Sequence, residues 1–144
     1  MINNTMSLRV KAIPINESFV RSVVAGFTVP CDPTIDVLND IRTAVSEAVT
    51  NCVVHAYGST GDGDILIEGT IHDQLLTITI SDYGRGIIDV KKAQEDFYTT
   101  KSSEERSGLG FTIMRSFMDS LSVVSEVGAG TTVTMTKVLS HVER

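Results

Sequence analysis

Glu47 and Asn51 stand four residues apart in the run Ser46-Glu47-Ala48-Val49-Thr50-Asn51. On a helix, that separation leaves them about 40° apart around the axis and roughly 6 Å apart along it. Both side chains then point the same way, one turn above the other. A carboxylate takes a proton from a hydroxyl, and a carboxamide oxygen is a hard ligand suited to Mg²⁺. Polar pairs at this spacing also line plain solvent-facing helices, so the pair acquires weight only from the glycine motifs downstream of it.

There are three such motifs. Asp82-Tyr83-Gly84-Arg85-Gly86 ends a strand pattern. Two glycines one residue apart let the backbone turn sharply and approach a ligand closely. Asp82 there can accept a hydrogen bond from an exocyclic amine. Gly108-Leu109-Gly110 precedes the helical spacing of Phe111, Ile113, Met114, Phe117 and Met118. A glycine pair opening a helix is an anion site, because free N–H groups and the positive end of the dipole face the ligand. Gly130-Thr131-Thr132 opens the last strand. Between the first and second motifs, Phe97 to Ser107 lacks apolar periodicity and reads as a mobile loop. Its hydroxyls, Thr100 and Ser107 among them, together with Lys101 and Arg106, fit a phosphate lid.

The elements that must position these residues begin with Ser7 to Ile13, which alternates as a half-buried strand. Asn16 reads as a helix N-cap with Phe19, Val20, Val23, Val24 and Phe27 behind it. Arg21 falls on the flank of that helix. Asp32-Pro33 reads as the start of a long helix running to about Tyr57, with Gly58 as its stop. This helix carries Glu47, Asn51 and His55 along one side, as the wall of a wet pocket; His55 by itself reads as structural. Ile65–Ile71 and Leu75–Ser81 read as a hairpin joined by His72-Asp73-Gln74, with a short polar helix after it over Asp89–Asp96. Leu121–Ser125 and Thr131–Leu139 are the last two strands.

The chain has 144 residues, 42% of them hydrophobic, which suits one domain with an ample core. Twelve basic and eighteen acidic residues give a net charge of −6. That argues against non-specific nucleic-acid binding, which needs a basic surface. No apolar run approaches the ~20 residues of a membrane span, and the N-terminus does not read as a secretory signal. Two cysteines, Cys31 and Cys52, predict no disulfide framework and a reduced, cytoplasmic setting. Cys52 reads as a small core residue. Neither a Walker A pattern nor a dinucleotide fingerprint is present.

The ordered set Glu-x-x-x-Asn, Asp-x-Gly-x-Gly, Gly-x-Gly and Gly-Thr-Thr resembles the ATP-binding fold shared by gyrase, Hsp90, histidine kinases and MutL. The motifs fill the chain and leave no room for phosphoacceptor helices or transducer domains. Within that group the resemblance is closest to the anti-sigma-F factors of endospore-forming bacteria. It is carried by Asn16-Glu17-Ser18-Phe19, Asp32-Pro33-Thr34, Val45 to Asn51, and Glu105-Arg106-Ser107-Gly108-Leu109-Gly110-Phe111-Thr112-Ile113-Met114.

The resemblance implies an α/β two-layer sandwich, with helices on one face of a mixed, mostly antiparallel sheet. It implies ATP (or ADP) bound with Mg²⁺: Asn51 on the metal, Asp82 on the adenine amine, and Gly84 and Gly86 shaping the base pocket. Gly108, Leu109 and Gly110 would cradle phosphates, Thr131 or Thr132 would fix the adenine end, Glu47 would be the general base, and Arg106 would meet the γ-phosphate. It further implies a homodimer that holds a sporulation RNA polymerase sigma factor inactive and phosphorylates a serine of an anti-anti-sigma protein, with Arg21 in partner contact. Other readings compatible with the sequence are a non-catalytic, nucleotide-gated binding module, a plain ATPase, and the related anti-sigma kinase of a stress response.

Overall fold

The computed structural model describes residues 2–94 and 106–140, with side chains from residue 109 onward in the second stretch. Five strands form one sheet: β1 (Asn3–Lys11), β2 (Asp64–His72), β3 (Leu75–Asp82), β4 (Ser120–Glu126) and β5 (Gly130–Val138). Their order is β1-β2-β3-β5-β4, and all four pairings run antiparallel. This is the antiparallel limit of the mixed, mostly antiparallel sheet expected.

The period of two decides which face is covered. Ile65, Ile67 and Ile71 of β2, Leu76, Ile78 and Ile80 of β3, and Val133 and Met135 of β5 are buried. The other face carries hydroxyls: Thr77 and Thr79 pair across to Thr136 and Thr134. On the apolar face lie α1 (Ile15–Thr28), α2 (Ile35–Asn51) and α4 (Arg106–Phe117), with the short α3 (Val90–Ala93) before α4. Val20 and Val24 of α1, Ile41, Val45, Ala48 and Val49 of α2, and Phe111 and Met114 of α4 close this layer. Each fully buried large aliphatic side chain stabilises the layer by roughly 1.5–3 kcal/mol.

Four helix boundaries differ from the sequence reading. α4 begins at Arg106, so Arg106 and Ser107 belong to the helix instead of the expected loop, and Gly108 and Gly110 lie inside its first turns instead of preceding it. α1 begins at Ile15, and Asn16 lies inside its first turn, its side-chain amide donating to the Lys11 carbonyl (2.9 Å) instead of capping the helix. Asp32 does not start α2. It adopts a left-handed conformation (φ 53°), and the cap is Thr34, whose hydroxyl accepts from Val37 N. Pro33 therefore precedes the helix instead of opening it. The long helix also changes winding: after Asn51 the chain makes a wide π turn over Cys52–Ala56 before Gly58 turns it away with a positive φ of 60°. β1 starts at Asn3, earlier than its alternation marked, because it pairs along the whole of β2. The β2–β3 turn is shorter than expected, Asp73 and Gln74 alone, both with positive φ.

Candidate functional site

A cavity of about 310 Å³ lies between the end of α2, the end of β3, the start of β5 and α4. Its polar floor is Asp82, 6% exposed at the last position of β3. Asp82 Oδ1 accepts from Gly84 N (3.0 Å) and from Thr131 N (3.2 Å). Burial pushes the Asp82 carboxyl above its usual range; those two amides and the Cys52 thiol, which donates to it, pull it back. Burial also raises the Cys52 thiol well above its ordinary value, and the adjacent carboxylate adds to the effect. The floor is thus an acceptor already oriented from behind, with its remaining capacity available to a donor in the cavity.

The glycines are where they must be. A side chain at Gly84 would collide with the Ala56 carbonyl, the last of the wide turn after α2. That carbonyl accepts from Arg85 N at 3.2 Å, so the wide turn and the Asp-x-Gly-x-Gly turn are sewn together. Gly86 has φ +77° and abuts the Glu126 carbonyl. Ser125 secures the same corner: it takes Ile87 N (2.8 Å) and lies 3.0 Å from the Gly130 carbonyl, to which it donates. Its single proton is spent there, so Thr131 donates the 2.8 Å bond between the two hydroxyls. Thr131, 8% exposed, lines the cavity; Thr132 points to the opposite face of the sheet and meets Ser81 Oγ at 3.1 Å.

At the other end, α4 comes close to α2. A Cβ at Gly110 would sit 3.3 Å from both Asn51 Oδ1 and Glu47 Oε1. The carboxylate, the carboxamide and the opening turns of α4 therefore converge. Asn51 Nδ2 is buried and has no hydrogen-bond partner among the described residues. An orphaned carboxamide beside a helix start marks a place built for something polar. Because the amide's oxygen and nitrogen exchange by a simple flip, the group can equally present its oxygen to a cation.

Of the other residues picked out from the sequence, Leu109 is half-buried in α4. Arg106, Ser107 and Gly108 are placed as backbone in the first turn of α4. Thr100 and Lys101 lie outside the described residues. Arg21, on α1, faces Glu17 at 3.6 Å and Ser46 Oγ at 3.5 Å, away from the floor. Sequence reasoning missed Cys52 as a site residue, and also the cavity-lining Ala56, Arg85 and Phe111. His55 lines the cavity too. A signal for Cys52 was available, since it directly follows Asn51. For Phe111 there was none: one apolar helix position looks like another.

The fit of Mg·ATP to these residues rests on donor chemistry. No cluster of three His, Cys, Asp or Glu side chains able to hold a metal occurs among the described residues. A single protein oxygen at Asn51 is what Mg²⁺ needs when phosphates and water supply its other ligands.

Residues 12–137 match the family model of the histidine kinase-like ATPase domain. An anti-sigma F factor of Caldanaerobacter subterraneus is 51% identical over 139 residues, covering 96% of each chain. That of Bacillus subtilis is 46% identical, covering 96% of this chain and 95% of its own. Among solved structures, the RsbU and RsbW domains of Rv1364c from Mycobacterium tuberculosis align with a TM-score of 0.70 at 20% identity, over 98% of this chain and 34% of that one. The catalytic domain of the histidine kinase ThkA aligns with a TM-score of 0.58 at 16% identity, over 96% and 97%. The chain is a member of the histidine kinase-like ATPase family and, within it, of the anti-sigma F factors.

Proposed function

We propose that this chain is a cytoplasmic, homodimeric serine kinase that also binds a sporulation RNA polymerase sigma factor and holds it inactive, its kinase substrate being a serine of an anti-anti-sigma protein. The observation that carries the kinase half is the meeting of Glu47, Asn51 and Gly110 between α2 and the opening turns of α4, with Asn51 lining the same cavity as the Asp82 floor. The sigma-factor half is supported by relatives 46–51% identical over nearly the whole chain, which bear the name anti-sigma F factor. The same identities favour the sporulation branch over the stress-response one.

In this reading Asp82 accepts from the adenine amine, Thr131 stands beside it, and Gly84 and Gly86 keep the base pocket open. The free amides of the first turn of α4, that of Gly108 among them, face the phosphates, and Gly110 leaves room for them beside Glu47 and Asn51. Asn51 would hold Mg²⁺, which would supply neutralisation of the phosphate charge. Glu47 takes the proton of the substrate serine as its oxygen bonds to the γ-phosphorus and the bond to the β-phosphate oxygen breaks. Arg106, with Lys101, Thr100 and Ser107, meets the charge on the γ-phosphate; an arginine in that role is worth roughly 10³–10⁵-fold in related chemistry.

The test is transfer of label from ATP marked on the γ-phosphate to the cognate anti-anti-sigma protein, with Mg²⁺. Label on a serine is the expected result. ATP bound with no label moved would replace the kinase with a nucleotide-gated binding module, and phosphate released without any acceptor would make it a plain ATPase.

A further inference from the structure

A groove of about 500 Å³ opens between α1 and α2, walled by Arg21 and Ser22 of α1 and by Asn39, Arg42, Ser46 and Glu47 of α2. Asn39, Arg42 and Ser46 follow one another at three- and four-residue spacing, and Glu47 stands at the far edge of the same broad face of α2. Glu47 belongs to this groove and also to the phosphate end, since its Oε1 is the atom that would meet a Cβ on Gly110. A side chain lying in the groove can therefore reach the same carboxylate that faces the start of α4.

The groove is not neutral. Arg21 is faced by Glu17 at 3.6 Å. Arg42 is exposed and makes no ion pair or hydrogen bond among the described residues. In a chain of net charge −6, this leaves a guanidinium open to an incoming acid.

Resting on the serine-kinase reading, we propose that this groove docks the extended segment of the protein substrate that carries the acceptor serine, and that Arg42 recognises a carboxylate on that segment. Spacing fixes where the acid lies. Arg42 and Glu47 are five residues apart, about 140° around the helix, on opposite edges of the groove, and about 7.5 Å along the helix axis. An extended chain covers that in two to three residues at about 3.3 Å each. With the serine at Glu47, the acid lies two or three residues from it.

The experiment is steady-state phosphate transfer from γ-labelled ATP to the cognate anti-anti-sigma protein, by wild type, Arg42→Ala and Arg42→Glu. The Arg42→Glu change is expected to raise KM for the protein substrate about tenfold, the size of one lost charge-assisted bond, with kcat within about twofold. Lysine in place of the substrate acid two or three residues from the acceptor serine is expected to bring KM with Arg42→Glu most of the way back. A KM unmoved in both variants while wild type transfers phosphate overturns the groove alone. So does a raised KM that no acid-to-lysine change restores, or a fall in kcat at constant KM, which would put Arg42 in the chemistry. No transfer by wild type overturns the kinase reading itself, and this docking site with it.

Discussion

Asp82, Gly84 and Thr131 are held by backbone: two amides converge on one carboxylate oxygen, and two glycines sit where any Cβ would strike a carbonyl at Ala56 or Glu126. Glu47 and Asn51, at the opposite end, reach their place by side chains from a single helix, with Asn51 Nδ2 left without a partner among the described residues. The first arrangement is rigid and specific before any ligand arrives. The second is completed by what binds there. In the proposed reading the two divide the work: a base pocket set by backbone decides which nucleotide enters, and the side chains of Glu47 and Asn51 decide what happens to it.

The sharpest way to break that division is a pair of crossed substitutions. Glu47→Ala is expected to lower phosphate transfer by about 10²–10⁴-fold, the usual worth of a positioned base, while nucleotide affinity stays near wild type. Transfer at close to the wild-type rate would remove Glu47 as the base. Asp82→Asn should do the reverse. It weakens ATP affinity by about 10–100-fold, the equivalent of one hydrogen bond to a charged group, with turnover at saturating ATP much less affected. Titration calorimetry for binding and labelled transfer for turnover separate the two. Equal losses in both quantities for either variant would mean that the two ends act as one unit.

The two ends also differ in how far they could be read from the chain. The side-chain end was legible in part: a period of 3.6 puts Glu47 and Asn51 on one face, but the glycine pair before Phe111 lies inside α4, which starts at Arg106, where no apolar periodicity announces a helix. The backbone end was legible in type but not in detail. Asp-x-Gly-x-Gly announces a turn, yet its seam with the Ala56 carbonyl depends on the wide turn after Asn51, and nothing in Cys52-Val53-Val54-His55-Ala56 announces a change of helical winding. Thr131 against Thr132 was left open although parity decides it: Thr131 shares a face with the buried Val133 and Met135. The capping errors have one cause. Asn16 and Asp32 are good caps by residue type, but Asn16 is drawn to the Lys11 carbonyl and Asp32 sits in a left-handed bend, and both outcomes depend on chain that local reading does not see. Strand order was least legible, because β5 slots between β3 and β4 through contacts distant in sequence.

The smallest expected effect sharpens the contrast most. Desolvation raises the Asp82 carboxyl above its ordinary value of 3.8, so the native chain holds that proton more tightly than the unfolded chain does. Asp82's own contribution to stability is therefore fully present below the ordinary value and is lost as pH rises through the elevated one. Adenine recognition runs the other way, since only the ionised carboxylate is a pure acceptor. On acidification from pH ~7.5 towards the ordinary carboxyl range, ATP affinity should fall as protonated Asp82 accumulates, at higher pH than an unburied carboxyl would cause. Asp82→Asn, weak throughout, should show much less of this dependence. The comparison is made by measuring ATP affinity across that range for both proteins and taking the difference, which cancels the titration of the nucleotide and of more distant groups. Parallel curves would mean that Asp82 stays ionised over the whole range. The Gly84 and Thr131 amides would then outweigh its burial, and the backbone end would be more strongly pre-set for its ligand than desolvation alone allows.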